Sequence, residues 1–276
     1  MHKIAFSIGG FEVAWYGVLL AIGFLAGFWL AAKRAPRTGI DPNTVYDIIP
    51  WLLVASIAGA RTLYVISYWK QDFANAPIWE VIMIRHGGLV YYGGLIGAIV
   101  GVMLFAWRKH VPLWKLADVL SPSIPVGYFF GRFGCLMNGC CYGRPTELPW
   151  GIHFPGACPD WPQGHPSWPN AVHPTQIYDS LLNLGLWVGL AFLYRRKKFD
   201  GQVFAAYLIA YAILRSIVEI FRGDYPAYYL GGLITPAQLL SAAIITAGIA
   251  LYWYLSHAGV TSAAPTSKSL KVQGKL

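Results

Sequence analysis

The chain has 276 residues, of which 56% are hydrophobic and only 12% charged, and its formal net charge is +9 at pH 7. An average soluble domain is nearer about 25% charged, so the composition excludes an ordinary water-soluble domain and points to a membrane protein. The excess of cations then reads as topology and contact with anionic lipid headgroups, and no nucleic-acid partner is needed to explain it.

Apolar runs long enough to cross about 30 Å of hydrocarbon at about 1.5 Å per residue fall at roughly 13–32, 47–68, 89–107, 116–133, 175–194, 203–221 and 236–255. They predict an all-α, polytopic membrane protein with seven transmembrane helices. The fourth run contains Pro122, Pro125 and Gly127, which weaken a helix unless neighbours satisfy its backbone. Gly23 and Gly27, then Gly93, Gly97 and Gly101, have the four-residue spacing that lets helix backbones approach closely.

Lys and Arg cluster in alternate loops, at Lys33, Arg34 and Arg37, at Arg108, Lys109 and Lys115, at Arg195 to Lys198, and at Lys268, Lys271 and Lys275. Cytoplasmic loops retain positive charge, which puts the N-terminus outside and the C-terminus in the cytoplasm. The first run is too long for a cleavable signal, and its cations follow the apolar stretch. The expected organisation is a membrane domain over 1–256 with an outer loop at about 135–172, then a disordered cytoplasmic tail over 257–276.

Four arginines lie in or at the edge of these runs: Arg61, Arg132, Arg215 and Arg222. A charge at the centre of a bilayer costs roughly 2.5 to 3.5 kcal/mol on insertion scales, so each needs a partner or a ligand. Arg61 has no acid within helical reach, which leaves another helix or a ligand. Arg215, Glu219 and Arg222 share one helical face, with two cations on one acid. That face suits a phosphate or carboxylate, or else a purely structural pair.

Arg132 opens the glycine-rich segment Gly131-Arg132-Phe133-Gly134-Cys135-Leu136-Met137-Asn138-Gly139-Cys140-Cys141-Tyr142-Gly143. Gly134, Gly139 and Gly143 permit close backbone approach, Asn138 supplies a donor and an acceptor, and a guanidinium suits bidentate contact with phosphate. His173, in His173-Pro174-Thr175-Gln176-Ile177-Tyr178-Asp179 at the outer start of the fifth run, has the ring to act as a general base. His86-Gly87-Gly88 leads into Tyr91-Tyr92-Gly93-Gly94, and Tyr16 lies in Trp15-Tyr16-Gly17, where an interfacial anchor is the bland reading. Cys135, Cys140, Cys141 and Cys158 sit near or in the outer loop, where disulfides are favoured. Their spacing is not a usual zinc spacing, so neither a metal nor another cofactor is expected.

Taken together and in this order, these motifs resemble the prolipoprotein diacylglyceryl transferase family across nearly all of the hydrophobic chain. The resemblance implies a multi-pass enzyme of the bacterial inner membrane. Its reaction moves the diacylglyceryl group of phosphatidylglycerol to the lipobox cysteine of prolipoprotein signal peptides, forming a thioether and releasing glycerol 1-phosphate. By position it implies that Arg132 and Arg222 hold the lipid phosphate, that Asn138 supports the signature loop, and that Tyr16 and His173 help form the site. The chain departs from the family pattern at Tyr92, where members commonly carry histidine as a proposed base, and at Cys140, where many carry glutamate. His86, His173 or an activated Tyr92 are the candidates for accepting the thiol proton. The alternatives are a phospholipid or organic-anion transporter without catalysis, or a paralogue with different lipid chemistry.

Overall fold

The computed structural model describes residues 4–9, 11–74, 76–84, 87–154, 171–223 and 234–258. The chain divides into two compact units, one of Met1–Ala31 with Ala117–Leu276 and one of Ala32–Leu116. Among the described residues six helices are long and apolar enough to cross a membrane. They are α1 (Trp15–Arg34), α2 (Pro42–Tyr68), α3 (Tyr91–Arg108), α6 (Thr175–Arg196), α7 (Gln202–Phe221) and α8 (Pro236–His257). The expected fourth span is not one helix. Pro122 divides it into α4 (Leu113–Leu120), a 3-10 turn at Ser121–Ser123 and the 15-residue α5 (Ile124–Asn138). Proline lacks the N–H an unbroken helix needs there.

Among the described residues the architecture is helical apart from isolated bridges at Gly143, Pro145 and Ile152 and an antiparallel hairpin of β1 (Ile4–Ile8) and β2 (Phe11–Ala14), which leads directly into α1. The predicted tail beyond 258 lies outside the described residues.

In the first unit the burial pattern is inverted relative to a soluble protein. Asp118, Gln176, Asp179, Asn183 and Glu219 are buried, whereas Leu25, Val188, Leu239 and Trp253 are exposed. Polar groups turned inward and large apolar ones outward are what a lipid solvent demands. Asp118 is placed in this way by function as a cap. Its carboxylate accepts from the N–H groups of Gly201, Val203 and Phe204 and pairs with Lys197 at 2.8 Å, satisfying the start of α7. Helices α1 and α5 meet through small residues, because a Cβ on Gly23 would lie 2.9 Å from Phe130 Cβ and one on Gly27 3.3 Å from the Ser123 carbonyl.

The second unit is built on the α2–α3 pair. A Cβ at Gly97 would fall 2.1 Å from the Ala55 carbonyl, and one at Gly93 2.4 Å from that of Gly59, so the backbones touch where the sequence has its glycine stripe. Val45, Ile48, Val65, Phe73 and Phe105 fill its core. Capping by Asp41, whose side chain accepts from the Asn43 N–H at 2.9 Å, starts α2.

Candidate functional site

In the first unit α5 ends at Asn138, and Gly139 closes it in the left-handed conformation, its N–H donating to the Cys135 carbonyl at 2.9 Å. Glycine takes that conformation without the Cβ penalty. Cys141 follows at φ 60°, an uncommon conformation for a residue with a side chain. The loop is then sewn to two other segments. The Gly143 N–H donates to the His173 carbonyl at 3.0 Å, the Arg144 N–H to the Phe221 carbonyl at 2.8 Å, and the His173 N–H to the Arg144 carbonyl at 3.0 Å.

Thr175 Oγ1 donates to the Cys141 carbonyl at 2.8 Å and Gln176 Nε2 to the Cys140 carbonyl at 2.7 Å. The Thr-Gln pair of the His173 motif thus holds the signature loop, a role its sequence did not disclose. A Cβ on Gly143 would lie 2.5 Å from His173 Cβ and 2.8 Å from the Phe221 carbonyl. Only glycine fits there. Gly134 is similarly confined, since its Cβ would meet Tyr16 at 2.9 Å, and this contact brings Tyr16 to the last turns of α5. Gly131 has nothing within 4 Å.

The arginines of this unit sit among carboxylates. Arg132 Nε lies 2.8 Å from Asp179 Oδ2, and its Nη2 donates to the Tyr128 hydroxyl at 2.6 Å, which in turn donates to Asp179 at 3.2 Å. Arg215 pairs with Glu219, and Arg222 Nε is 4.0 Å from the same carboxylate. Arg132, Arg215 and Arg222 all act electrostatically on Asp179. Three guanidinium groups are thus gathered at two buried carboxylates. Asp179, only 2% exposed, was not among the expected site residues. Its signal was available: an acid one turn inside an apolar run is as costly as an arginine there, and the two pay for each other.

His173 Nδ1 lies 3.3 Å from the Tyr178 hydroxyl, which accepts from Trp150 Nε1 at 2.7 Å, and its ring packs on Phe221. Burial pushes the His173 imidazole below its ordinary pKa, favouring the neutral form that can accept a proton. Asn138 is exposed, and its amide is 3.6 Å from Cys140 Sγ. Cys135, Cys140 and Cys141 are free thiols whose sulfurs all lie within 4.8 Å of one another. Hydrogen bonds from the other two thiols lower the pKa of Cys141, with Arg132 and Arg222 adding to the effect. Cys158 lies outside the described residues.

The second unit holds the remaining expected residues. Tyr92, in the first turn of α3, is 57% exposed, and His86 lies outside the described residues. Arg61 is buried on α2, and its partners are backbone carbonyls. Nε donates to Val81 at 2.9 Å, Nη1 to Gly87 at 2.8 Å and Gly88 at 3.1 Å, and Nη2 to Glu80 at 2.6 Å. Its guanidinium also stands over the rings of Tyr64 and Phe73. Neither an ion pair nor a ligand is required to account for it.

Helices long and apolar enough to cross a membrane, with buried arginine–carboxylate pairs and a loop fastened at Gly143, define a multi-pass membrane protein. The family model described as prolipoprotein diacylglyceryl transferase matches residues 3–254. The phosphatidylglycerol–prolipoprotein diacylglyceryl transferase of Finegoldia magna is 39% identical over 252 residues, 91% of this chain and 94% of that protein. The protein of the same name from Gloeobacter violaceus is 36% identical over 261 residues, 94% of each. The chain belongs to the prolipoprotein diacylglyceryl transferase family.

Proposed function

We propose that this chain transfers the diacylglyceryl group of phosphatidylglycerol to the lipobox cysteine of prolipoproteins, the first step of lipoprotein maturation in a bacterial inner membrane. The names and coverage of its relatives support the reaction. The observation that carries the site is the gathering of Arg132, Arg215 and Arg222 at the buried carboxylates Asp179 and Glu219, beside a glycine-clamped loop. Breaking the bond between a glycerol carbon and a phosphate oxygen leaves charge on that phosphate, and fixed cations stabilise charge where it develops.

In this reading Arg132 and Arg222 hold the phosphate. Gly139 and Gly143 allow the loop its shape, Gly134 lets α5 close on Tyr16, and Asn138 supports the loop. Tyr16 and His173 border the reacting groups, His173 being suited to take a proton. Tyr92 and His86 remain candidates for the acceptor side. We place seven spans in the membrane by letting α4 and α5 together complete one crossing, with the N-terminus outside and the C-terminus cytoplasmic. Cysteine labelling from the two faces of intact cells, at single sites introduced in the hairpin and after α8, tests that orientation.

Purified protein incubated with phosphatidylglycerol and a lipobox peptide is expected to yield a diacylglyceryl thioether and glycerol 1-phosphate by mass spectrometry. Lipid flux in proteoliposomes without any thioether would replace this reading with transport.

A further inference from the structure

Cys135 comes from the last turn of α5, and Cys140 and Cys141 from the loop that Gly139 turns back toward it. The turn brings three sulfurs within 4.8 Å of one another, each side chain half-buried. A tetrahedral zinc ion with Zn–S bonds of about 2.3 Å sets its sulfurs about 3.8 Å apart, so the three thiols need shift by no more than about 1 Å. Three thiolates on a divalent ion carry one net negative charge, and the charges of Arg132 and Arg222 both act on Cys141. The Asn138 amide, 3.6 Å from Cys140 Sγ, is placed as an outer donor to a sulfur ligand.

We propose that Cys135, Cys140 and Cys141 form a three-sulfur site for a thiophilic divalent cation, zinc foremost, whose fourth tetrahedral position takes the thiol of the acceptor cysteine. Three protein ligands with one open position is the pattern of a reactive zinc site, whereas structural sites are closed by four. The proposal rests on the transfer reaction proposed above. A thiol that ligates zinc gives up its proton, and the sulfur keeps the electron pair with which it attacks the glycerol carbon. The C–S bond forms as the C–O bond to phosphate breaks. The bonding pair leaves on the phosphate oxygen, and the thiol proton ends on the released glycerol phosphate or in water. Nothing is oxidised or reduced.

The test uses the full chain purified in detergent under reductant, titrated with Zn2+ or Co2+. One tight zinc per chain is expected by elemental analysis, with binding at least tenfold weaker in Cys140→Ser and Cys141→Ser. The cobalt form of the wild type is expected to show sulfur-to-cobalt charge-transfer absorption, so the site can be judged even if a variant fails to fold. Adding a lipobox peptide should shift the visible cobalt bands, and the same peptide with serine in place of cysteine should not. Failure to bind either ion overturns the site, and binding without a cysteine-dependent shift overturns the open position. Thioether formation by chelator-treated, metal-free enzyme overturns the metal's part while leaving the transfer reaction standing. A cysteine-dependent shift in a protein that forms no thioether supports the site and removes the transfer reading instead.

Discussion

Arg61 and Arg132 are both guanidinium groups inside apolar helices, one in each unit of the chain. Arg61 spends its N–H groups on four backbone carbonyls, which ties the Ile78–Val81 turn and the Gly87-Gly88 turn to α2. Those acceptors carry no charge to neutralise, and they are parts of the chain that would otherwise be left unsatisfied. Arg132 instead meets Asp179 and Tyr128, in a cluster where Arg215 and Arg222 also act on that carboxylate. The first arrangement is closed and structural. The second gathers three guanidinium groups at buried carboxylates beside the signature loop, and a guanidinium is suited to bidentate contact with phosphate.

The sharpest way to break this contrast is Arg132→Ala, which should lower thioether formation by about 100- to 1000-fold, as expected when a preorganised charge is removed from a transition state. It also leaves Asp179 buried without its partner, a cost of about 3 to 5 kcal/mol. Adding Asp179→Asn should restore much of the melting temperature in detergent and none of the turnover. Turnover returning with stability would make Arg132 a structural residue like Arg61.

Gly143→Ala should cost about 100-fold in turnover, because displacing the loop by even 1 Å from His173 and Phe221 misaligns what it carries. Wild-type rates in a steady-state assay would show that the clamp is dispensable. Arg61→Met should act on the other side of the comparison. Each carbonyl left unpaired costs about 1 to 3 kcal/mol, so a large fall in thermal stability is expected while turnover per folded molecule is kept. A stable but inactive Arg61→Met protein would move that residue into the reaction.

His173 predicts a pH effect of moderate size. Burial lowers its pKa in the fold, so the acid limb of the rate profile should fall below the ordinary imidazole value of about 6.5, with activity lost as protonation removes the base. By the same sign, its contribution to stability is present above the unfolded pKa and lost as pH falls through the folded one. An unchanged acid limb in His173→Gln would assign the proton acceptor elsewhere. Least is expected at Gly131. With nothing within 4 Å of its Cβ position, Gly131→Ala should leave activity alone and stabilise α5 by up to about 1 kcal/mol, as a melting curve would show.

Much of this is legible in the amino-acid sequence. The glycine stripe at Gly93, Gly97 and Gly101 announced a close helix contact, because only hydrogen side chains let two backbones touch, and the partner proves to be α2. The shared face of Arg215, Glu219 and Arg222 followed from helical spacing, and the ion pairs are there. The division of the fourth run at Pro122 was foreshadowed by its prolines, but where the chain would break depended on what its neighbours could satisfy. Thr175 and Gln176 gave no hint that they would hold the carbonyls of Cys140 and Cys141, because their partners lie more than thirty residues away in sequence.

The amino-acid sequence by itself determined the solvent, the helices and the list of charges that lipid would not tolerate alone, since hydropathy and 3.6-residue spacing are local properties. Tertiary structure alone decided which partner each charge received. Arg61 found carbonyls and Arg132 found Asp179, and three sulfurs from two sides of one turn came together. Those outcomes depend on distances between segments far apart in the chain, which no local pattern encodes.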